Sequence, residues 1–376
     1  MPSFSAISAT TQVGGQDIVF AISQPPILGG LLGVIGKRLK KAKLVYNIQD
    51  FNPEQSRAVN VANSGLTYPL LRRIDTWTCK KADEVIVVGR DMLETLFGRL
   101  GIEQSQTGEK PQVPEASRGL PRYAFISNWV NEEVVYPIAR NAVHWTSVAA
   151  FREKYGLMNK FVVMYSGNIG LYYDLKNLIR IFAEYEKRKN VVFAFVGEGS
   201  LLEELKAYRQ EQGLSNIAFI PYQPKEALVY SLNAADVQIV VNARGIKGVS
   251  VPSKLYGVMA AGKPVLGVLE HGSEGARIME EAGCGLLSEP GDYETFRKNL
   301  EFFLQFAEDE SVKQTAVHAL ASETKHVAEI EERQAAKARL SENSLHEMGH
   351  KGREYLLRHL RMQDSIMKYR KEMLAL

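Results

Sequence analysis

Chemistry is most legible in the segment Val249–Val265, VSVPSKLYGVMAAGKPV. A Pro-Ser-Lys turn runs into a short apolar helix, the helix ends at Gly262, and a strand opens at Pro264-Val265. Ser253 falls near the helix start, where unsatisfied N–H groups and the dipole favour an anion. Lys254 adds a positive charge on a flexible stem. Together the two residues suit a diphosphate. The plainer reading is an N-cap serine beside a solvated lysine, and this segment alone leaves both open.

Two further turns bear on that choice. Tyr165-Ser166-Gly167-Asn168-Ile169-Gly170 follows a strand-like run, and its glycines let backbone approach a ligand at the carboxyl edge of a sheet. Phe195-Val196-Gly197-Glu198-Gly199-Ser200 repeats the theme, with Glu198 able to accept from ribose hydroxyls. The spacing is not the dinucleotide G-x-G-x-x-G, and neither a P-loop nor a serine nucleophile elbow occurs. Turns at Gly167, Gly197 and Pro252 from one sheet would face one cleft. Their convergence favours a phosphorylated ligand of the nucleotide-sugar kind.

The elements that must position these turns alternate. Strand-like runs at Asp17–Ile22, Leu44–Ile48, Glu84–Val88 and Ala124–Ser127 are separated by helical patterns such as Tyr68–Lys81 and Asp91–Leu100. The alternation restarts at Phe161–Tyr165 and continues at 191–196, 217–220, 237–241 and 265–268. Continuous apolar strands between helices mean parallel sheets covered on both faces, an α/β architecture. The chain of 376 residues suits two such domains. We read 1–16 as a disordered polar segment, 17–140 as a first domain, 145–307 as a second, and 308–376 as a helical extension whose last part crosses back to the first domain. A hydrophobic content of 45% and a charged content of 24% are ordinary for a globular protein. A net charge of +3 is too small to argue for nucleic acid, and two distant cysteines argue against a disulfide framework. No apolar run is long enough to span a bilayer, and the first residues lack a signal-peptide pattern. The expectation is a cytoplasmic protein. Lys37, Arg38, Lys40, Lys41 and Lys43 follow the apolar run Ile27–Ile35; a solvated helix end is the favoured reading and contact with anionic lipid the lesser one.

With "YSGNIG", "FVGEGS", "VPSKLYGVMAAGKPVLG", "HGSEGARIMEEAGCGLLSEPGD" and "ISNWVNEEVVYP" in view, the chain resembles the retaining glycosyltransferases of family four. It is nearest in flavour to their bacterial exopolysaccharide, colanic-acid-like branch. The resemblance implies the GT-B fold, two Rossmann-like domains facing a cleft, with the first incomplete. It implies transfer from a nucleoside-diphosphate sugar to a saccharide or lipid-linked acceptor, with no cofactor and no metal. Gly167, Asn168 and Gly170 would line the donor phosphates or the cleft, and Gly197, Glu198 and Gly199 the nucleoside. Ser253 and Lys254 would hold the diphosphate, and Glu274 would accept from donor-sugar hydroxyls. Asp50, with Pro53 and Glu54, would face the acceptor.

Two departures from the family stand out. Gly257 and Val249 occupy positions where the family usually carries glutamates. Family members also place further βα units before the strand at Asp17, so about half of a typical ~150-residue first domain lacks a counterpart. The sheet from Asp17, Leu44 and Glu84 is therefore expected to expose an apolar edge. A mis-assigned start, a fragment, or a partner chain that supplies the missing units would each account for this. The alternatives in function are a sugar-nucleotide epimerase or phosphorylase of the same fold, and a non-catalytic nucleotide-sugar-binding module that needs a partner. Trp77 and Trp129 are expected in packed positions, and His271 at a loop contact. The terminal helices should bury Tyr355, Leu356, Leu360 and Met367 and leave Arg353, Arg358, Arg361 and Lys368 wet.

Overall fold

A computed structural model describes residues 8–13, 16–58, 67–102, 119–319 and 344–376. In the first domain, β1 (Ser8–Val13), β2 (Gln16–Ile22), β3 (Lys43–Ile48), β4 (Glu84–Val87) and β5 (Arg122–Phe125) lie side by side in chain order. All pairings are parallel except β1 with β2. Helices α1 (Leu28–Lys40), α2 (Glu54–Ala58), α3 (Thr67–Lys81) and α4 (Arg90–Leu100) connect them. The segment read as disordered thus supplies an edge strand, in register from Ser8 opposite Ala21 to Val13 opposite Gln16. Main-chain pairing needs no apolar pattern, which is why a Ser/Thr-rich run could close the edge that was expected to lie bare. The polar stretch 101–121, whose Pro and Gly residues read as a surface loop, falls largely on 103–118, outside the described residues.

The second domain holds β6 (Phe161–Ser166), β7 (Val191–Val196), β8 (Ile217–Ile220), β9 (Val237–Val241), β10 (Val265–Val268) and β11 (Gly285–Ser288). Their order is β11-β10-β9-β6-β7-β8, all parallel. The chain order reverses between β6 and β9, and open α/β sheets bind ligands in the crevice at such a point. Helices α5 (Trp145–Lys154), α6 (Leu175–Ala183), α7 (Leu202–Glu211), α8 (Lys225–Asn233), α9 (Lys254–Ala260), α10 (Glu274–Ala282) and α11 (Tyr293–Ala319) cover the faces. The strands are buried almost throughout, as their unbroken apolar runs require. One apolar cluster runs across both domains, joining Phe51, Val88, Met92 and Leu96 to Leu255, Tyr256 and Met259.

Two helices end the chain, α12 over 344–359 and α13 (Met362–Leu374). Leu356 and Leu360 are buried, but Met367 is exposed and Arg353 is not free in water. Arg353 donates to the carbonyls of Val135 and Ala260 at 2.9 Å and of Glu132 at 3.0 Å. Three unsatisfied carbonyls at a chain crossing attract a forked donor more strongly than solvent does. From there α13 lies on the first sheet. Tyr369 packs with Ile18, Val45, Ile86 and Ile126, and Trp129 meets it edge-on at 5.9 Å. Trp77, by contrast, is 39% exposed, with the Arg38 guanidinium 6.0 Å above its ring.

Replacing Tyr369 with Ala should cost about 3 kcal/mol of stability, the usual cost of removing a buried aromatic. Amide exchange should rise most in β2, β3 and β4; protection unchanged there would mean that α13 does not hold the sheet.

Glu84, fully buried in β4, has neither carboxylate oxygen hydrogen-bonded among the described residues. Burial, reinforced by the nearby Glu372 carboxylate, pushes its pKa up to about 7. The folded state then holds a proton that the unfolded chain releases near pH 4.5. Stability should therefore fall as pH rises from about 4.5 to 7, by on the order of 3 kcal/mol. Denaturant titrations at both ends of that window should show this slope, and Glu84→Gln should flatten it.

Candidate active site between the two sheets

The loops at the carboxyl ends of β3 and before α9 meet like a pair of strands. The Phe51 N–H donates to the Val249 carbonyl at 2.9 Å, and Asp50 and Ser250 form an antiparallel bridge. Helix α4 braces the contact: the Asp91 carboxylate accepts from the Gly248 N–H at 2.8 Å, and the Thr95 hydroxyl donates to the Gly248 carbonyl at 2.7 Å. Beside them Glu274, at the start of α10, accepts from the Arg90 N–H and Nε, each at 2.9 Å. Arg90 also reaches Glu281 at 2.7 Å.

Behind these contacts lies a cavity of about 210 Å³. The first domain contributes Gln24, Gln49, Asp50, Gln55 and Asn128, and the second Tyr173, Asn242 and the run Ser250–Lys254. Amide, hydroxyl and charged groups make up most of this wall. Part of it is fixed from far away in the chain. Asn128 Nδ2 donates to Gln49 Oε1 at 2.8 Å, Gln49 Nε2 to Asn47 Oδ1 at 2.6 Å, and Asn47 Nδ2 to the Tyr369 hydroxyl of α13.

Lys254 and Asp50 share this cavity. Lys254 Nζ donates to the Tyr165 hydroxyl at 2.7 Å and stands 3.2 Å from the centre of the Tyr173 ring. Burial draws its pKa well below the ordinary lysine value. The Asp50 carboxyl is pushed the other way, upward, by burial; hydrogen bonds from Ser250, Gln24 and Gln55 hold part of that rise back. A lysine with no carboxylate bonded to it among the described residues and a carboxyl with a raised pKa, facing one polar space, are the features expected of a site that binds an anion and handles a hydroxyl.

The glycine turns support the Lys254 stem and do not line the cavity themselves. The Gly167 N–H donates to the Val196 carbonyl at 2.9 Å and the Ile169 N–H to the Glu198 carbonyl at 2.7 Å, so the turns after β6 and β7 stack on each other. Gly197 has φ +139°, and a Cβ there would stand 2.0 Å from the Gly167 carbonyl oxygen. A Cβ on Gly167, at φ +149°, would strike the Lys254 stem at 2.4 Å. These residues keep backbone and lysine close, a structural duty that permits the cavity. Ser253 is exposed in the cavity lining; Asn168 and Glu198 are exposed but do not line it, and Gly170 is buried against the Asn168 side chain. Ser253 makes no side-chain cap bond.

Other expected site residues lie elsewhere. Glu274 is 2% exposed, held by Arg90, and does not line the cavity. Glu54 pairs with Arg99, which also binds the buried Asp75, and so belongs to first-domain packing. His271 is exposed, with Nδ1 3.5 Å from Glu280. Position 257 has ordinary room for a Cβ, 3.5 Å from Leu232. Tyr173, Gln24, Gln55 and Asn242 were not singled out from sequence. They carry no motif, and only their place at strand ends beside recognised turns could have marked them. Among the described residues no group of His, Cys, Asp and Glu is arranged to hold a metal ion, and no helix is long and apolar enough to cross a membrane.

Residues 147–316 match the family described as "Glycosyl transferases group 1". A probable glycosyltransferase, WbjE of Pseudomonas aeruginosa, is 28% identical over 288 residues, covering 76% of this chain and 66% of the relative. A putative colanic acid biosynthesis glycosyl transferase, WcaI of Escherichia coli strain K12, is 28% identical over 265 residues, covering 68% of this chain and 59% of the relative. The matches thus span less than two thirds of those relatives' lengths. Among solved structures, Anabaena Alr3699/HepE in complex with UDP superposes with a TM-score of 0.62 at 14% identity, covering 96% of this chain and 79% of that one. The sucrose-phosphate synthase of Thermosynechococcus elongatus gives a TM-score of 0.65 at 15% identity, with 96% and 74% covered. The fold is GT-B, two Rossmann-like domains facing a cleft.

Truncating Arg90 to Ala should destabilise the protein by about 2 kcal/mol, less than the 3–5 typical of a fully buried pair because Arg90 is one-third exposed. Adding Glu274→Gln should recover part of the loss in thermal denaturation. No recovery would mean that Arg90 acts by packing and not by its charge.

Proposed function

We propose that this chain is a glycosyltransferase that moves a sugar from a nucleoside-diphosphate sugar to a saccharide or lipid-linked acceptor in surface polysaccharide synthesis. The observation that carries the reading is Lys254, an amine with no carboxylate bonded to it among the described residues, facing a polar interdomain cavity together with Asp50. The match of residues 147–316 and the names of the two relatives support it. The solved Anabaena neighbour was crystallised with UDP, and a nucleotide in the same cleft here would lie along the exposed Asn168, Glu198 and Ser253.

In this reading Lys254 neutralises charge on the departing diphosphate as the bond from the anomeric carbon breaks. The acceptor hydroxyl, oriented by a hydrogen bond to Asp50, attacks from the same face, and its proton leaves with a diphosphate oxygen. The configuration is retained and no protein nucleophile is used. Glu274 takes no part, because Arg90 occupies its oxygens. A lipid-linked acceptor is compatible with α1, which exposes Leu28, Ile35 and Leu39 on a helix ending in Lys37, Arg38 and Lys40.

Lys254→Ala should weaken nucleoside-diphosphate binding about ten- to hundred-fold, the value of a charge-assisted contact, and leave nucleoside binding nearly unchanged. Calorimetry with a panel of nucleoside diphosphates and their nucleosides measures both. Equal diphosphate affinity in mutant and parent would remove Lys254 from the site and the reading with it.

A further inference from the structure

Among the described residues the lysine of the cavity has no anion bonded to it. Its Nζ stands 3.2 Å from the centre of the Tyr173 ring and 4.5 Å from that of Tyr165, and donates to the Tyr165 hydroxyl at 2.7 Å. That hydroxyl gives its own hydrogen to the Asn168 carbonyl 2.6 Å away, so it meets the lysine through a lone pair. The titratable groups facing this box are few. Tyr165 comes from β6, Tyr173 from the loop before α6, and Asp50 from the first domain across the cavity. Burial keeps both phenols neutral. Asp50 is bonded to Gln55, Gln24 and Ser250 and forms no ion pair with Lys254.

An ammonium here exchanges part of its water for ring faces and one phenol oxygen. Ring faces return only part of the lost hydration, so enclosure favours the uncharged amine. A diphosphate would reverse that balance, because its oxygens bond strongly to the charged form.

We propose that Tyr165 and Tyr173 form a resting box for Lys254, and that a diphosphate entering the cavity is bound together with a proton from solvent. The proton passes from a buffer acid to the Nζ lone pair as the ion pair forms, and no other bond changes. The inference rests on the reading of this cavity as a diphosphate site. It makes the tyrosines positioning residues, since they act through the lysine. It also fixes the sign of the pH dependence. The complex holds more protons than the free protein, so affinity falls as pH rises through the alkaline range.

The test is calorimetry of the full chain with nucleoside diphosphates at about pH 8, in two buffers of different ionisation enthalpy. The terminal phosphate loses its last proton near pH 6, so uptake at this pH belongs to the protein. The parent should take up about one proton per ligand bound. Lys254→Arg, whose guanidinium is always charged, should bind without buffer dependence. Tyr173→Leu, which opens the box to water, should reduce the uptake while diphosphate still binds. A binding enthalpy that is equal in both buffers would overturn the resting box and leave the diphosphate site intact. Uptake that persists in Lys254→Arg would overturn it too, by placing the proton on another group. Failure of the parent to bind any nucleoside diphosphate would instead overturn the site itself.

Discussion

The main-chain pairing of Phe51 with Val249, and of Asp50 with Ser250, is the contact on which the site depends. It joins the carboxyl ends of two separate parallel sheets, and it places the cavity beside the point where strand order reverses in the second. Main-chain bonds lock the spacing of the two loops to one hydrogen-bond length. Side chains pointing into the gap from either side then face each other at short range. Asp50 and Lys254, about two hundred residues apart in sequence, come to share one cavity as a result. The charges that flank this seam are arranged to survive burial. Glu274 is paired with Arg90, and Asp91 accepts a backbone N–H from Gly248.

Lys254 is held differently. Among the described residues most buried charges have a partner of opposite sign: Arg99 has Asp75 and Glu54, and Arg152 has Asp236. Lys254 has aromatic rings and a phenol oxygen. Leaving a lysine so poorly compensated that its amine rests uncharged costs stability, which makes sense where the missing partner is a ligand. The glycine turns serve this arrangement indirectly. Gly197 lets two turns stack, and Gly167 leaves room for the lysine stem to pass.

The C-terminal helices tie the two halves into one object. Arg353 donates to the carbonyls of Glu132 and Val135, which follow β5, and of Ala260 in α9, and Tyr369 anchors α13 on the first sheet. The amide chain from Tyr369 through Asn47 and Gln49 to Asn128 carries that anchoring to the cavity wall. Each amide fixes the next because one end donates while the other accepts. The orientation of the wall is therefore set from a helix that does not itself line it.

Much of this was legible in the residues alone. Unbroken apolar strands separated by helical periods dictate parallel sheets, because both faces must be covered. The glycines after β6 and β7 and the Pro-Ser-Lys turn mark sheet ends where backbone or ligand comes close. Those signals are local, so a sequence carries them in full. The fate of each charge was not local. Glu274 and Lys254 both sit at helix starts and read alike as ligand contacts, yet Arg90 from the other domain pairs with one and no described residue pairs with the other. Ser8–Val13 reads as an unstructured polar run, yet a neighbouring strand edge orders it. Met367 looks fit for burial and stays in water, while Arg353 looks fit for water and is drawn to three carbonyls. In each case the deciding partner is distant in the chain. Electrostatic pairing and main-chain satisfaction depend on distances of a few ångströms, and only the tertiary fold sets those.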